Sequence, residues 1–300
     1  MKILLTGASG LIGSKLGHSL ATEGHEVVKL TRTAGIEEPN QASWNPAAGK
    51  ISLAAAEPLD AVIHLAGETI AQRWTPAAKA RIRDSRVNGT RLLSKAIPQL
   101  VQPPKILISA SAIGYYGNRG DEWLGEESAP GSGFLAELCR EWESATEPAA
   151  GHGVRMVNLR FGIVLASRGG ALKKMLPAFR LGLGGKLGSG RQFWSWISLQ
   201  DVVEIIRHLL FNEKIHGPVN AVSPQPVTNA EFTRTLGAVL HRPAFFAVPE
   251  FAVKLLFGEM GETALLASCR VRPARLEENG FVFRFPNLEG ALQQALGQEG

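Results

Sequence analysis

Apolar residues in this chain come in two alternating kinds of run. Short, nearly continuous runs occur at Lys2-Ile3-Leu4-Leu5-Thr6, at Glu26-Val27-Val28-Lys29-Leu30, at Ala61-Val62-Ile63-His64-Leu65, and over residues 105–109 and 154–159. Such runs predict strands buried on both faces. Between them, apolar residues recur every three or four positions. Leu11, Ile12, Leu16 and Leu20 share the face of a helix continuing over 14–23. A long helix is predicted over 76–100, with Pro76 near its start and Pro98 near its end, and another over 134–150. Strands alternating with helices at this rhythm imply right-handed βαβ units and a doubly wound parallel sheet. Beyond Gly162 the pattern changes. Residues 169–190 are rich in glycine and carry basic residues. A helix over 198–211 opens on Ser198 with Asp201 three residues on, a strand follows at 218–222, and helices follow over 229–240 and 249–257. The expected architecture is α/β: a Rossmann core from 1–165 plus 198–224, with a smaller C-terminal substrate-side lobe from 166–197 plus 225–300.

The first strand runs directly into Gly7-Ala8-Ser9-Gly10-Leu11-Ile12-Gly13. Closely spaced glycines let a backbone turn sharply and approach a phosphate, and the free N–H groups of the next helix then face the anion. Gly7, Ser9, Gly10, Leu11, Ile12 and Gly13 are therefore candidate contacts to a dinucleotide. The competing reading is an ordinary strand-to-helix turn. Ligands of such sheets sit at the carboxyl ends of the strands, where Gly7, Arg32, Gly67 and Ser111 all fall. About twenty residues past the glycines stands Thr31-Arg32 rather than an acid. A carboxylate there would repel a 2′-phosphate, whereas a guanidinium can grip it. The pattern predicts NADP(H) over NAD(H), against the plainer reading of a surface arginine.

Composition narrows the classes. The chain has 300 residues, a formal net charge of +5 and only two cysteines, Cys139 and Cys269. A disulfide framework and metal-ligand spacings are absent, and no apolar stretch approaches the length of a membrane span. The amino terminus enters a strand at once, without a signal-peptide pattern, so a cytoplasmic location is expected. The basic residues are scattered, with a modest concentration between Arg73 and Arg91. They point to an anionic cofactor or small-molecule substrate rather than nucleic acid or membrane. The sequence leaves the oligomeric state open.

The spacing TGASGLIG resembles the cofactor loop of the extended short-chain dehydrogenase/reductases, and further segments extend the likeness. His64-Leu65-Ala66-Gly67 resembles their third-strand segment, and Arg86-Val87-Asn88-Gly89-Thr90 their N-V-x-G-T helix motif. Ser109-Ala110-Ser111 through Tyr116-Gly117 resembles their serine loop, and WISLQDV, ending at Val202, their F-I-x-V-x-D-V segment. SAIGYYG, LRFGIVL, GLGGKLGSGRQFWSWI and RLEENGFVFRFPNLEGAL are similar to an atypical branch of the NAD(P)-dependent epimerase/dehydratase family, the SulA/YfcH type, which includes human epimerase-family proteins. The resemblance implies a bound NADP(H), with Arg32 and the helix carrying Arg81 and Arg86 near its phosphates, and Leu65, Ala66, Gly67, Ser109 and Val164 among its other neighbours.

That family works with a Tyr and a Lys one helical turn apart. Phe134 and Leu138 stand at those positions, and neither can exchange a proton. Tyr115, Tyr116 and Ser111 are the candidate replacements, Tyr116 having the alternative role of an aromatic that pins its loop. Where sugar-nucleotide enzymes place an Arg for the diphosphate, this chain has Trp194. With Trp196 it suggests an apolar pocket, or else packing of the lobe on the core. Two functions stay open: an NADP(H)-dependent oxidoreductase or epimerase acting on a small substrate, and a non-catalytic NADP(H)-binding protein.

Overall fold

The computed structural model describes residues 1–32 and 41–297. Its main sheet has eight strands: β1 (Lys2–Thr6), β2 (Glu26–Thr31), β3 (Gln41–Asn45), β4 (Lys50–Ser52), β5 (Ala61–His64), β6 (Ile106–Ala112), β7 (Arg155–Phe161) and β8 (Gly217–Ala221). Their spatial order is β8-β7-β6-β5-β1-β2-β3-β4. All neighbours are parallel except β3 and β4. The order reverses between β1 and β5, and a crevice opens at that switch point beyond the carboxyl ends of the strands.

The helices used below are α1 (Leu11–Thr22), α2 (Pro76–Ala96), α3 (Phe134–Ser144), α4 (Gly170–Arg180), α5 (Leu199–Phe211), α6 (Asn229–Val239), α7 (Glu250–Phe257) and α8 (Leu288–Gly297). The period of two along each strand explains the layering. Ile3, Leu5, Ile106 and Ile108 pack with Leu16 and Leu20 of α1 and Val202 and Ile206 of α5. The intervening Leu4, Val62 and Leu107 pack on the opposite face with Leu93 of α2. A separate cluster joins Leu172 and Leu176 of α4, Trp194, Trp196, Phe232 and Leu236 of α6, and Leu292 of α8.

Ser198 caps α5 as its pattern predicts, accepting from the Asp201 amide at 2.9 Å. Asp201 has a second task. It is buried, and its carboxylate accepts the amides of Arg284 and Phe285 at 2.8 and 3.1 Å, which ties the C-terminal segment to the sheet-covering helix. The helix expected over 134–150 ends instead at Ser144 and resumes as a short turn at Glu147–Ala150. Pro148 accounts for the break, because its ring would collide with the carbonyl four residues back and it donates no hydrogen bond. The strands β3 and β4 and the helices α4 and α8 were outside the pattern-based expectation.

Candidate functional site

The site is built where β1 ends. Gly7 turns the chain at φ +69°, and a Cβ there would lie 2.8 Å from the carbonyl carbon of Leu65 and 2.9 Å from the amide nitrogen of Ala66. A Cβ on Gly13 would collide with the Gly7 carbonyl oxygen. These two glycines bring the loop, β5 and α1 together. Gly10 differs: it is exposed, its amide donates to the Gly7 carbonyl at 2.9 Å, and the nearest neighbour of a Cβ there would be that same oxygen at 3.2 Å. α1 has no side-chain cap and no acidic residue in its first turn. The positive end of the helix and the leading N–H groups of Leu11, Ile12 and Gly13 are thus left for a ligand at the switch point, with Ser9 exposed beside them.

A buried polar chain holds the opposite wall. The Leu65 and Ala66 amides donate to Thr6 Oγ1 at 3.0 and 3.1 Å, and Thr6 Oγ1 lies 2.7 Å from His64 Nδ1. His64 Nε2 is 2.9 Å from Thr90 Oγ1, which also accepts from Trp142 Nε1 at 2.9 Å. Since Thr6 already accepts twice, its hydroxyl donates to Nδ1, and the His64 proton resides on Nε2. Complete burial pushes the His64 pKa down to about 4, so the ring is neutral.

Leu65, Ala66 and Gly67 therefore run past Gly7 at a fixed distance. Arg86 lies along them: a Cβ on Gly67 would be 3.4 Å from its Cζ. Its Nη1 donates to the Ile82 carbonyl at 3.1 Å, and its guanidinium sits 5.0 Å from the Trp142 ring. Burial lowers its pKa, while Cys139 and Glu68 oppose the shift. Arg81 is exposed and bonds Gln72 at 3.3 Å. Thr31 ends β2, and the exposed Arg32 follows it. Val164 is half-buried in a short strand that pairs with Trp196–Ser198. Ser109 is fully buried beside His64 in the sheet register, and its hydroxyl turns back on the Ala110 carbonyl at 3.5 Å.

The hydroxyl candidates meet in one network. Ser111 Oγ donates to Glu143 Oε1 at 2.6 Å, and Arg160 clamps the same carboxylate through Nε and Nη2 at 2.8 Å each. Arg160 Nη1 donates to the Tyr116 hydroxyl at 2.9 Å, and that hydroxyl donates to Asn220 Oδ1 at 2.7 Å. The Arg160 guanidinium also lies 3.5 Å from the centre of the Tyr115 ring. Tyr116 is fully buried, and burial pushes its pKa up to about 12 against the pull of Arg160. A phenol so enclosed, donating and accepting within the protein, braces its loop and is not set to pass a proton to a ligand. Glu143, Arg160 and Asn220 had not been singled out beforehand. The available signal was Arg160 itself, a charge inside the strand run between Leu159 and Phe161, which needs a buried partner.

Phe134 and Leu138, one turn apart on α3, belong to an apolar cluster with Ile70, Trp74, Ile82 and Met260. The Phe134 and Trp74 rings meet edge to face at 5.0 Å. Lys79 Nζ lies 4.9 Å from the Phe134 centroid and pairs with Glu259 at 2.5 Å. Trp194 and Trp196 do not line a pocket. They are 5% and 0% exposed within the third cluster, with their indole N–H groups bonded to the carbonyls of Leu265 and Gln225.

A doubly wound parallel sheet whose first strand ends in a glycine cradle at the switch point, under an uncapped helix, defines a dinucleotide-binding α/β protein. The chain belongs to the NAD dependent epimerase/dehydratase family, whose model matches residues 3–221. A domain of unknown function, DUF1731, matches residues 248–295. The chain is 42% identical over 299 residues to the epimerase family protein Mb2239 of Mycobacterium bovis, covering 99% of this chain and 98% of the relative. Among solved structures it superposes on the human epimerase family protein SDR39U1 (isoform 2) with NADPH, at a TM-score of 0.90 and 37% identity over 99% of each chain. It also matches a nucleoside-diphosphate sugar epimerase from Corynebacterium glutamicum, at a TM-score of 0.80 and 37% identity, covering 99% of this chain and 58% of that one.

Proposed function

We propose that this protein binds NADP(H) in the crevice between β1 and β5 and acts as an oxidoreductase or epimerase on a small substrate. The observation that carries the reading is the cradle. Gly7 and Gly13 are filled by backbone on their blocked sides, while Gly10 and the free α1 amides stay open to a pyrophosphate. The residues fit the group, and the NADPH in the human relative supports the choice of nucleotide. Gly7 to Gly13 would hold the diphosphate, Leu65 to Gly67 would flank the nucleotide, Arg32 would take the 2′-phosphate, and Arg86 would supply a fixed positive charge beside Gly67. When bound, NADP(H) supplies hydride transfer. The division into a core of 1–165 plus 198–224 and a substrate-side lobe of 166–197 plus 225–300 is part of the same proposal.

The family's Tyr/Lys pair is replaced by Phe134 and Leu138, so proton movement falls to other groups. Ser111 is the foremost candidate, its hydroxyl oriented by Glu143, with Tyr115 second. One observation favours a second reading, a non-catalytic NADP(H)-binding protein: the hydroxyls of Ser111 and Tyr116 both bond protein partners. The deciding experiment loads the protein with NADPH and follows the nicotinamide absorbance against a panel of aldehydes, ketones and quinones. Turnover that Ser111→Ala abolishes while NADPH binding persists supports the enzyme. Stoichiometric binding with no turnover across the panel supports the second reading. Absence of binding defeats both.

A further inference from the structure

Two segments of the C-terminal part carry most of the exposed large apolar side chains among the described residues. Leu181 and Leu183, just past α4, are 75% and 57% exposed, and Phe245, Phe251 and Leu255 are 76%, 71% and 73% exposed. Phe246 and Leu256 join them at 45% and 65%. Backbone contacts make this one face. The strand Gly185–Leu187 pairs in parallel with Phe246–Val248, which leads directly into α7. Arg242 Nε bonds the Arg180 carbonyl at 3.0 Å, a Cβ on Gly182 would touch Pro243 at 3.3 Å, and the Phe245 and Phe246 rings stack at 4.9 Å. Within α7 only Val253 is fully buried. Phe251 and Leu255, one turn apart, project together.

Charge identifies what would cover this face. Residues 168–191 and 241–258 contain eight Lys and Arg (Arg168, Lys173, Lys174, Arg180, Lys186, Arg191, Arg242 and Lys254) and one acid, Glu250. The whole chain has a net charge of +5, so these two segments hold more than its entire positive excess. All eight basic residues are exposed, and three of them adjoin the face: Arg180 precedes Leu181, Lys186 lies in the strand paired with Phe246–Val248, and Arg242 bonds the Arg180 carbonyl, whereas Lys174 bonds the Ala71 carbonyl and Lys254 pairs with Glu250 and Glu262. A second copy of the chain is a poor occupant, because a two-fold contact would set the same basic segments against each other. Exposed Phe and Leu beside Arg180, Lys186 and Arg242 match the interfacial zone of an anionic bilayer, where rings and alkyl groups enter the acyl boundary and the cations meet lipid phosphates. No helix among the described residues is long and apolar enough to cross a membrane, and none is required.

We infer that the face formed by Leu181, Leu183, Phe245, Phe246, Phe251 and Leu255 docks the protein peripherally on anionic lipid membranes. This inference does not depend on the cofactor reading. The test is sedimentation of the full chain with phosphatidylcholine vesicles, with and without phosphatidylglycerol, at about 0.1 M salt. Binding is expected only with the anionic lipid. Phe251→Ser/Leu255→Ser should weaken it at least about tenfold, since these side chains leave the acyl boundary. Lys173→Gln/Lys186→Gln should weaken it about 25-fold, at roughly fivefold per neutralised charge. Unchanged thermal unfolding and far-UV circular dichroism of both variants establish that they are folded. Absence of binding to anionic vesicles overturns the inference, and so does equal binding to phosphatidylcholine alone. A dimer in light scattering that Phe251→Ser/Leu255→Ser disperses also overturns it, because the face would then be a subunit interface.

Discussion

Gly7 and Gly10 of the first loop should fail in different ways when given a methyl group. At Gly7 the backbone is left-handed, which costs an L-residue roughly 1–2 kcal/mol. The new Cβ would also press on the Leu65 and Ala66 backbone at 2.8–2.9 Å. Overpacking against unyielding atoms adds roughly 1–3 kcal/mol, so Gly7→Ala should cost about 2–5 kcal/mol in all. Gly10 has ordinary extended backbone, with φ −77° and ψ 173°, and its one close neighbour is at 3.2 Å. Exchanging glycine for alanine at a helix N-cap costs only about 0.5–1 kcal/mol. Its methyl group, however, would occupy the open side of the cradle and keep a diphosphate from the amides. Losing one or more charge-assisted hydrogen bonds weakens binding roughly ten- to a hundredfold. Thermal unfolding without nucleotide, at one fixed scan rate, should show a fall of about 4–15 °C for Gly7→Ala and about 1–3 °C for Gly10→Ala. NADPH titration should show the large loss for Gly10→Ala, measured where that variant is fully folded. If Gly10→Ala binds NADPH like the parent, or Gly7→Ala unfolds at the parent temperature, the assignment of the cradle is refuted.

Three further outcomes follow from the same geometry. Arg32→Ala should weaken NADPH about tenfold, one lost phosphate contact, and leave NADH unchanged; equal loss for both nucleotides in fluorescence titrations would remove Arg32 from the 2′-phosphate site. Glu143→Ala should destabilise the fold by about 3–5 kcal/mol in denaturant unfolding, because Arg160 is left charged and buried without its carboxylate; Ser111→Ala, which removes a single hydrogen bond, should cost about 1–3 kcal/mol. His64 is neutral when folded and takes up a proton near pH 6.5 when unfolded, so its contribution is intact above that pH and is lost as pH falls toward 4. The loss approaches about 3 kcal/mol, and His64→Gln should flatten the dependence of stability on pH across that window.

The parts legible beforehand were those governed by local rules. The period of the apolar runs placed β1, β2, β5, α1 and α2 within a few residues, because β1 and β5 are buried on both faces, β2 on one, and the helices along one stripe. The glycine loop was legible because glycine takes the left-handed φ of Gly7 without the cost other residues meet, and because backbone leaves no room for a Cβ at Gly13. The region after Gly162 was harder. α4 contains Pro177 and begins at Gly170 with φ +68°, two features that read as breakers in sequence and that tertiary packing of Leu172, Leu176 and Phe179 overrides. The role of Tyr116 was also out of reach. Its partners Arg160 and Asn220 lie 44 and 104 residues away, and no spacing rule brings them together.

The network beneath the serine loop gives Phe134 and Leu138 a physical context. Here the cluster of Phe134, Leu138, Trp74 and Ile82 is apolar, and the nearest fixed charges are arranged around it rather than within it. Arg160 is neutralised by Glu143, Lys79 by Glu259, and Arg86 has Trp142 against its guanidinium. A Lys placed at buried Leu138 would therefore be an ammonium in an apolar cluster without a partner, at a cost of several kcal/mol, whereas Phe134 is only partly buried. Phe134 and Leu138 and the packing around them are consistent with one another. A search for activity is better directed at the Ser111–Glu143 pair and at Arg86 than at rebuilding the family's proton donor.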